Sequence, residues 1–138
     1  MDTKTLVTQI NVNIAVKDIE PSLAFWQAVG FQITDSVPVD GPEGSGPLGF
    51  AIISNGQQQF MMQTVESIEG DMQSFKGKDL LSSPVLLFIV VANIDAIDEV
   101  LQDFDQAFPR RETFYGATEI GYYTPDGTQV TFAEFKEG

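Results

Sequence analysis

The stretch Ile14–Glu20, IAVKDIE, returns 75 positions later as Ile89–Asp95, IVVANID. Self-similarity at a fixed offset constrains a fold more than any isolated motif does, and duplication of one unit is its simplest account. The match runs on into two helical patterns. Phe25, Trp26 and Val29 fall on Val100, Leu101 and Phe104, at the spacing of a buried stripe. Asp18 is placed to cap the first helix, with Pro21 in its first turn and Gly30 ending it, and Asn93 is the matching cap in the second half. Phe25 and Trp26 adjoin, so one of them is a candidate for a subunit contact unless the helix carries a broad apolar face, the simpler explanation.

Strand patterns follow each helix. The first half offers Phe31–Val37, Leu48–Ser54 and Gln58–Thr64, and the second half Glu112–Tyr115, Glu119–Thr124 and Gln129–Phe135, so each half reads βαβββ. Asn55-Gly56 signals a tight hairpin, and Pro125-Asp126-Gly127 suits a turn closed by a left-handed glycine. The Gly- and Pro-rich segment 37–49 predicts a loop or flap. Residues 65–82 read as an irregular connector between the halves.

Three other classes of protein are disfavoured by composition. With 138 residues, 43% of them hydrophobic, the chain suits one well-buried core, and we expect a single domain over 1–138. Neither a spanning apolar run nor a signal-peptide layout is present, which predicts a cytoplasmic protein that makes no use of a membrane. The absence of cysteine removes disulfides and thiolate chemistry. A net charge of −13 repels nucleic acid and anionic lipid and attracts cations, although it also serves plain solubility.

Taken together, the motifs resemble the vicinal-oxygen-chelate superfamily of glyoxalases, bleomycin-resistance proteins and extradiol dioxygenases. Val16–Phe31, VKDIEPSLAFWQAVGF, is similar to that family's V-x-D-x-x-x-S-x-x-F-Y-x-x-x-G-F opening, and Thr113–Glu134, TFYGATEIGYYTPDGTQVTFAE, to its closing hairpin. The resemblance implies an α+β fold of two tandem βαβββ modules. They would form a curved, partly open, barrel-like sheet around a cavity, with helices on the convex side. Module 1 would cover about 5–65, the connector about 65–82 and module 2 about 83–136. Strand alternation then sends Ile10, Val12, Ile14, Val16, Phe60, Met62, Leu87, Ile89 and Val91 toward the helices. It leaves Asn11, Asn13, Ala15, Gln59, Met61, Gln63, Leu86, Phe88, Val90, Gln129, Thr131 and Ala133 facing the cavity.

Metal-dependent relatives hold their ion with one inward residue from each of four strands. The matching positions are Asn11, Met61, Leu86 and Thr131, none of them a carboxylate or an imidazole, and the chain has no histidine to recruit. Neutral oxygens and a thioether do not offset the dehydration of a divalent ion, so we expect no metal and no other cofactor. Without that Lewis acid, lyase, isomerase and dioxygenase chemistry is disfavoured. The amide-rich wall of Asn11, Asn13, Gln59, Gln63 and Gln129 beside the apolar wall of Leu86, Phe88 and Val90 points toward binding rather than catalysis, unless the amides only satisfy one another.

The leading expectation is a metal-free small-molecule-binding protein, of the kind that sequesters drugs, for an organic ligand whose cationic forms the charge favours. The resemblance also implies a homodimer, swapped or unswapped, and leaves open a metal held by carboxylates at a subunit interface. The alternative is a metal-independent enzyme of lyase or isomerase type. In it Glu119, Glu134 or one of Tyr115, Tyr122 and Tyr123 would act on a small carbonyl compound. Glu134 has the opposite strand parity to Thr131 and should point away from the cavity.

Overall fold

Asn93 behaves as its residue type dictates: its side chain accepts a hydrogen bond from the Ala96 N–H and caps the helix α3 (Ile94–Val100). The α1 helix (Ile19–Ala28) starts after Asp18 as expected, but the Asp18 side chain makes no capping bond. Gly30 takes φ 104° just past its end, a conformation that an L side chain resists. The computed structural model describes residues 9–81 and 85–136. The module boundaries expected near 5 and at 82–83 therefore lie outside the described residues.

Among the described residues eight strands run around these helices, β1 (Asn13–Val16), β2 (Gln32–Pro38), β3 (Leu48–Ser54), β4 (Gln59–Thr64), β5 (Leu86–Val90), β6 (Gln106–Glu112), β7 (Ala117–Tyr123) and β8 (Gln129–Phe135). They form two four-stranded sheets in the orders β1-β4-β3-β2 and β5-β8-β7-β6. In each sheet the edge strand that precedes the helix runs parallel to its neighbour and the other pairs are antiparallel. The α+β architecture of two βαβββ units stands, and the sheets remain two rather than closing into a barrel.

Four local expectations need correction. Glu112–Tyr115 is not a strand: β6 ends at Glu112, and residues 113–116 turn through a Thr113 N–H to Ala117 C=O bond of 2.9 Å. Pro109 and the paired arginines hide the alternation of β6, and its place at the sheet edge tolerates a proline. The strand after it begins earlier than expected, at Ala117. β1 is shorter than its apolar pattern, with only the Val12 carbonyl continuing the pairing by accepting from the Met61 N–H at 2.8 Å. The connector is also not wholly irregular. It opens with α2 (Val65–Asp71), capped by Thr64 through the Ser67 N–H, and then makes a short 3₁₀ turn at Gln73–Phe75. None of the described helices is long and apolar enough to cross a membrane.

Both halves pack into one core on their helix-covered faces. Phe25 and Trp26 are each at most 1% exposed, so the broad apolar face holds and neither side chain is left for a subunit contact. Trp26 turns to its own sheet, with ring centroids 4.6 Å from Phe60 and 5.6 Å from Phe31. Phe25 turns to the other half, 5.2 Å from Phe104 and 6.4 Å from Phe132. A polar tie reinforces this seam: the Asp126 carboxylate accepts from the hydroxyls of Ser22 at 2.7 Å, Thr124 at 2.5 Å and Thr128 at 2.7 Å.

Tyr122 lies in the same core, and its hydroxyl donates to Asp98 Oδ1 at 2.5 Å. Burial, and then that hydrogen bond, push its pKa up to about 12. A tyrosine ordinarily ionises near 10, so the native state keeps a proton that the unfolded chain loses. The contribution is whole below about pH 10 and is lost as the pH rises to about 12. Urea melts across this window should show stability falling, and falling less steeply in Tyr122→Phe; an equal decline in both would clear Tyr122 as the source.

Candidate functional site

The faces turned away from the helices hold the side chains expected at the site. On the second sheet, β5 alternates strictly: Leu87 and Ile89 pack on the core, while Leu86, Phe88 and Val90 are 74%, 52% and 62% exposed. Alternation on one face of a sheet normally sends polar groups to water, so three exposed apolar side chains in a row form an unusual apolar patch. The apolar character continues across the strands. Phe88 lies 6.4 Å from Phe135, Phe135 lies 6.0 Å from Tyr115, and Tyr115 meets the fully exposed Phe114 at 5.2 Å.

At the centre of this face sits Glu119, with none of its surface exposed. The small residues Ala117, Gly121 and Ala133 surround it by strand parity and register. Its Oε1 accepts from Arg111 Nε at 3.1 Å and Nη2 at 2.9 Å, and its Oε2 accepts from the Tyr115 hydroxyl. That bond, and then burial, raise the Tyr115 pKa above its ordinary value. The Arg111 guanidinium also stands 4.3 Å over the Phe108 ring. Phe108 in turn lies against Gly121, where an added Cβ would come within 2.3 Å of the ring.

A bulge in β6 makes this arrangement possible. The register shifts between Phe108 and Arg111, so both point to the open face, while Arg110 reaches back to α3 and donates to Asp95 at 2.7 Å. Glu134 also points away from the open face, as its parity requires: it accepts from the Ile94 N–H at 2.7 Å, at the start of α3.

The open face of the first sheet is amide-rich, and its amides largely serve one another. Asn13 Nδ2 donates to Gln63 Oε1 at 2.9 Å, Gln63 Nε2 to Ser67 Oγ at 3.0 Å, and Gln59 Nε2 to Asn11 Oδ1 at 3.3 Å. Among the residues expected to face the cavity, Asn11, Asn13, Gln59, Met61 and Gln63 thus belong to the first sheet or its lead-in. Leu86, Phe88, Gln129 and Thr131 belong to the second, paired as Leu86 with Gln129 and Phe88 with Thr131. Gln59 and Phe88 meet along one groove of about 390 Å³ that runs from Val12 and Phe60 to Leu87–Val90. A second hollow of about 300 Å³ lies under the connector, against Ile14, Ile68 and Met72.

Arg111, Phe108 and Phe135 were not foreseen as site residues, and Glu119 and Tyr115 entered only through the enzymatic alternative. A readable signal existed: Ala117, Glu119 and Gly121 share one parity, and a carboxylate flanked by small residues on a strand face is placed to be buried. The four positions that would hold a divalent ion do not fit one. Met61 offers a thioether, Leu86 no donor, and Asn11 and Thr131 neutral oxygens. Among the described residues no three acidic side chains cluster closely enough to replace them.

Comparison with known proteins agrees with this architecture. The family model described as Glyoxalase/Bleomycin resistance protein/Dioxygenase superfamily matches residues 8–132. A protein of unknown function from Agrobacterium tumefaciens superposes with a TM-score of 0.72 at 19% identity, covering 96% of this chain and 98% of its own. A glyoxalase/bleomycin resistance protein/dioxygenase family enzyme from Burkholderia phytofirmans gives 0.68 at 20% identity, covering 91% and 97%. A bleomycin resistance determinant encoded on the transposon Tn5 gives 0.64 at 15% identity, covering 95% and 100%. At such identities the likeness is one of fold. No curated protein matches the sequence.

Proposed function

Because the chain belongs to the Glyoxalase/Bleomycin resistance protein/Dioxygenase superfamily, we propose that it is a single-domain, metal-free protein that binds a small organic molecule on its open sheet faces, as a homodimer. The observation that carries this reading is the exposed row Leu86, Phe88 and Val90, continued by Phe135 and Tyr115 around the buried Glu119. A pocket of mostly apolar wall with a few fixed polar groups is the usual make-up of a small-molecule site. The helix-covered faces of both sheets share one core, so the open faces are turned away from it and a second copy would close the cavity. β1 and β5, each at the edge of its sheet, offer the strands for that contact.

The charge of −13 disfavours an anionic ligand and would draw cations to the surface. The alternative, metal-independent proton transfer by Tyr115 and Glu119, is the weaker reading. Glu119 already accepts three hydrogen bonds, and the raised Tyr115 pKa makes its hydroxyl a poor base at neutral pH.

Three measurements on untagged protein test the proposal. Light scattering should give twice the 15.1 kDa chain mass. Zinc, nickel and manganese should leave the melting temperature unchanged. At least one member of a library of neutral and cationic organics should raise it saturably, by the several degrees expected of a ligand at about 100 times its Kd. Tight stoichiometric metal binding would overturn the proposal, and so would a monomer that no organic stabilises.

A further inference from the structure

Arg111 is held by one edge only. Its Nε and Nη2 are engaged by the buried Glu119, and Phe108 supports its flat face. Among the described residues Nη1 has no hydrogen-bond partner, and the side chain is 57% exposed. A guanidinium gripped along its inner edge cannot swing away, so its outer pair of N–H groups is a fixed, planar, two-pronged donor. Beside it the Tyr115 ring, tied to the same carboxylate, begins the aromatic series that leads through Phe135 to Phe88.

The charges select the ligand. Arg111 and Glu119 cancel, so the site has no net charge to offer, and a protein of net charge −13 repels an anion approaching it. Glu119, with three donors already on it, has little left for a cation, which would also face the guanidinium. A neutral oxygen with exposed lone pairs suits the outer edge of Arg111, and a flat conjugated ring suits the aromatic series. Resting on the binding reading above, we infer that Arg111 anchors the carbonyl oxygen of a neutral, planar, conjugated ligand whose ring system lies along Tyr115, Phe135 and Phe88.

Three probes of similar size separate the possibilities: 7-methoxycoumarin, which is neutral with a ring carbonyl; 2-methoxynaphthalene, which lacks the carbonyl; and the N-methylquinolinium cation. Equilibrium binding to the wild-type dimer should rank the coumarin first. Arg111→Met should weaken the coumarin about tenfold or more and leave the naphthalene within about twofold, since a lost charged donor costs on that order. Because that change leaves Glu119 buried without its cation, Arg111→Lys serves as the folded control. It keeps the charge but loses the planar fork, and should weaken the coumarin several-fold with a smaller loss of melting temperature than Arg111→Met.

Preference for the quinolinium would overturn the neutral-carbonyl assignment, as would equal coumarin affinity in wild type and Arg111→Lys. If none of the three binds, the assignment is likewise overturned. The broader binding reading then stands or falls separately, on whether the organic library stabilises the protein.

Discussion

Trp26→Ala should destabilise the protein by about 3–5 kcal/mol and lower its Tm by roughly 10–15 °C. The indole is 1% exposed and packs edge-on to both Phe60 and Phe31, so truncation removes a large buried surface and leaves a cavity among rings that cannot collapse far. Set against a typical total of about 5–15 kcal/mol, such a loss consumes roughly a fifth or more of the stability. Trp26→Phe, which keeps an aromatic ring at the contact, should cost about half as much or less. Thermal and urea unfolding of the two variants measure this directly. A Trp26→Ala loss below about 1 kcal/mol would mean that the first helix is not seated as described.

Asp126→Ala should be the next most damaging of the substitutions considered, at about 2–3 kcal/mol. Its carboxylate gathers three hydroxyls, and two of their owners, Ser22 and Thr124, are at most 3% exposed. Removing the acceptor strands those hydroxyls away from water, which costs more than the bonds themselves contribute. Asp126→Asn keeps one acceptor oxygen and should lose less, about 1 kcal/mol. Urea denaturation of both variants, read beside Ser22→Ala, tests whether the effect runs through the helix. If the Ser22 and Asp126 changes proved strictly additive, the tie between the halves would be absent.

Much of the fold was legible because duplication and strand alternation are strong, redundant signals. The repeat at Ile14 and Ile89 placed β1 and β5, and Leu48–Ser54 and Gln129–Phe135 were read at the bounds they take. The edge strand β6 was misread because its bulge breaks the period of two, and a proline with two adjacent arginines looks like a loop. The site was less legible for the same reason. Neighbouring Arg110 and Arg111 go to opposite sides of the sheet, and which one meets Glu119 depends on a register shift that no count along the chain reveals. The amides were read as one group facing the cavity, but that Asn13 and Gln63 would bond to each other depends on the parallel pairing of β1 with β4.

The aromatic contact across the halves sets an order on biosynthesis. Phe25 comes early in the chain, yet it packs against Phe132 of β8, more than a hundred positions later. While the ribosome is still adding residues, the first helix can dock on its own sheet through Trp26, but the Phe25 side of that helix has nothing to rest on. It stays uncovered until Phe104 and then β8 emerge, so the nascent chain carries a sticky helix flank through most of its translation, and contacts so distant in sequence slow the final closure. Chaperone demand should therefore fall in a circularly permuted chain that makes β8 before α1.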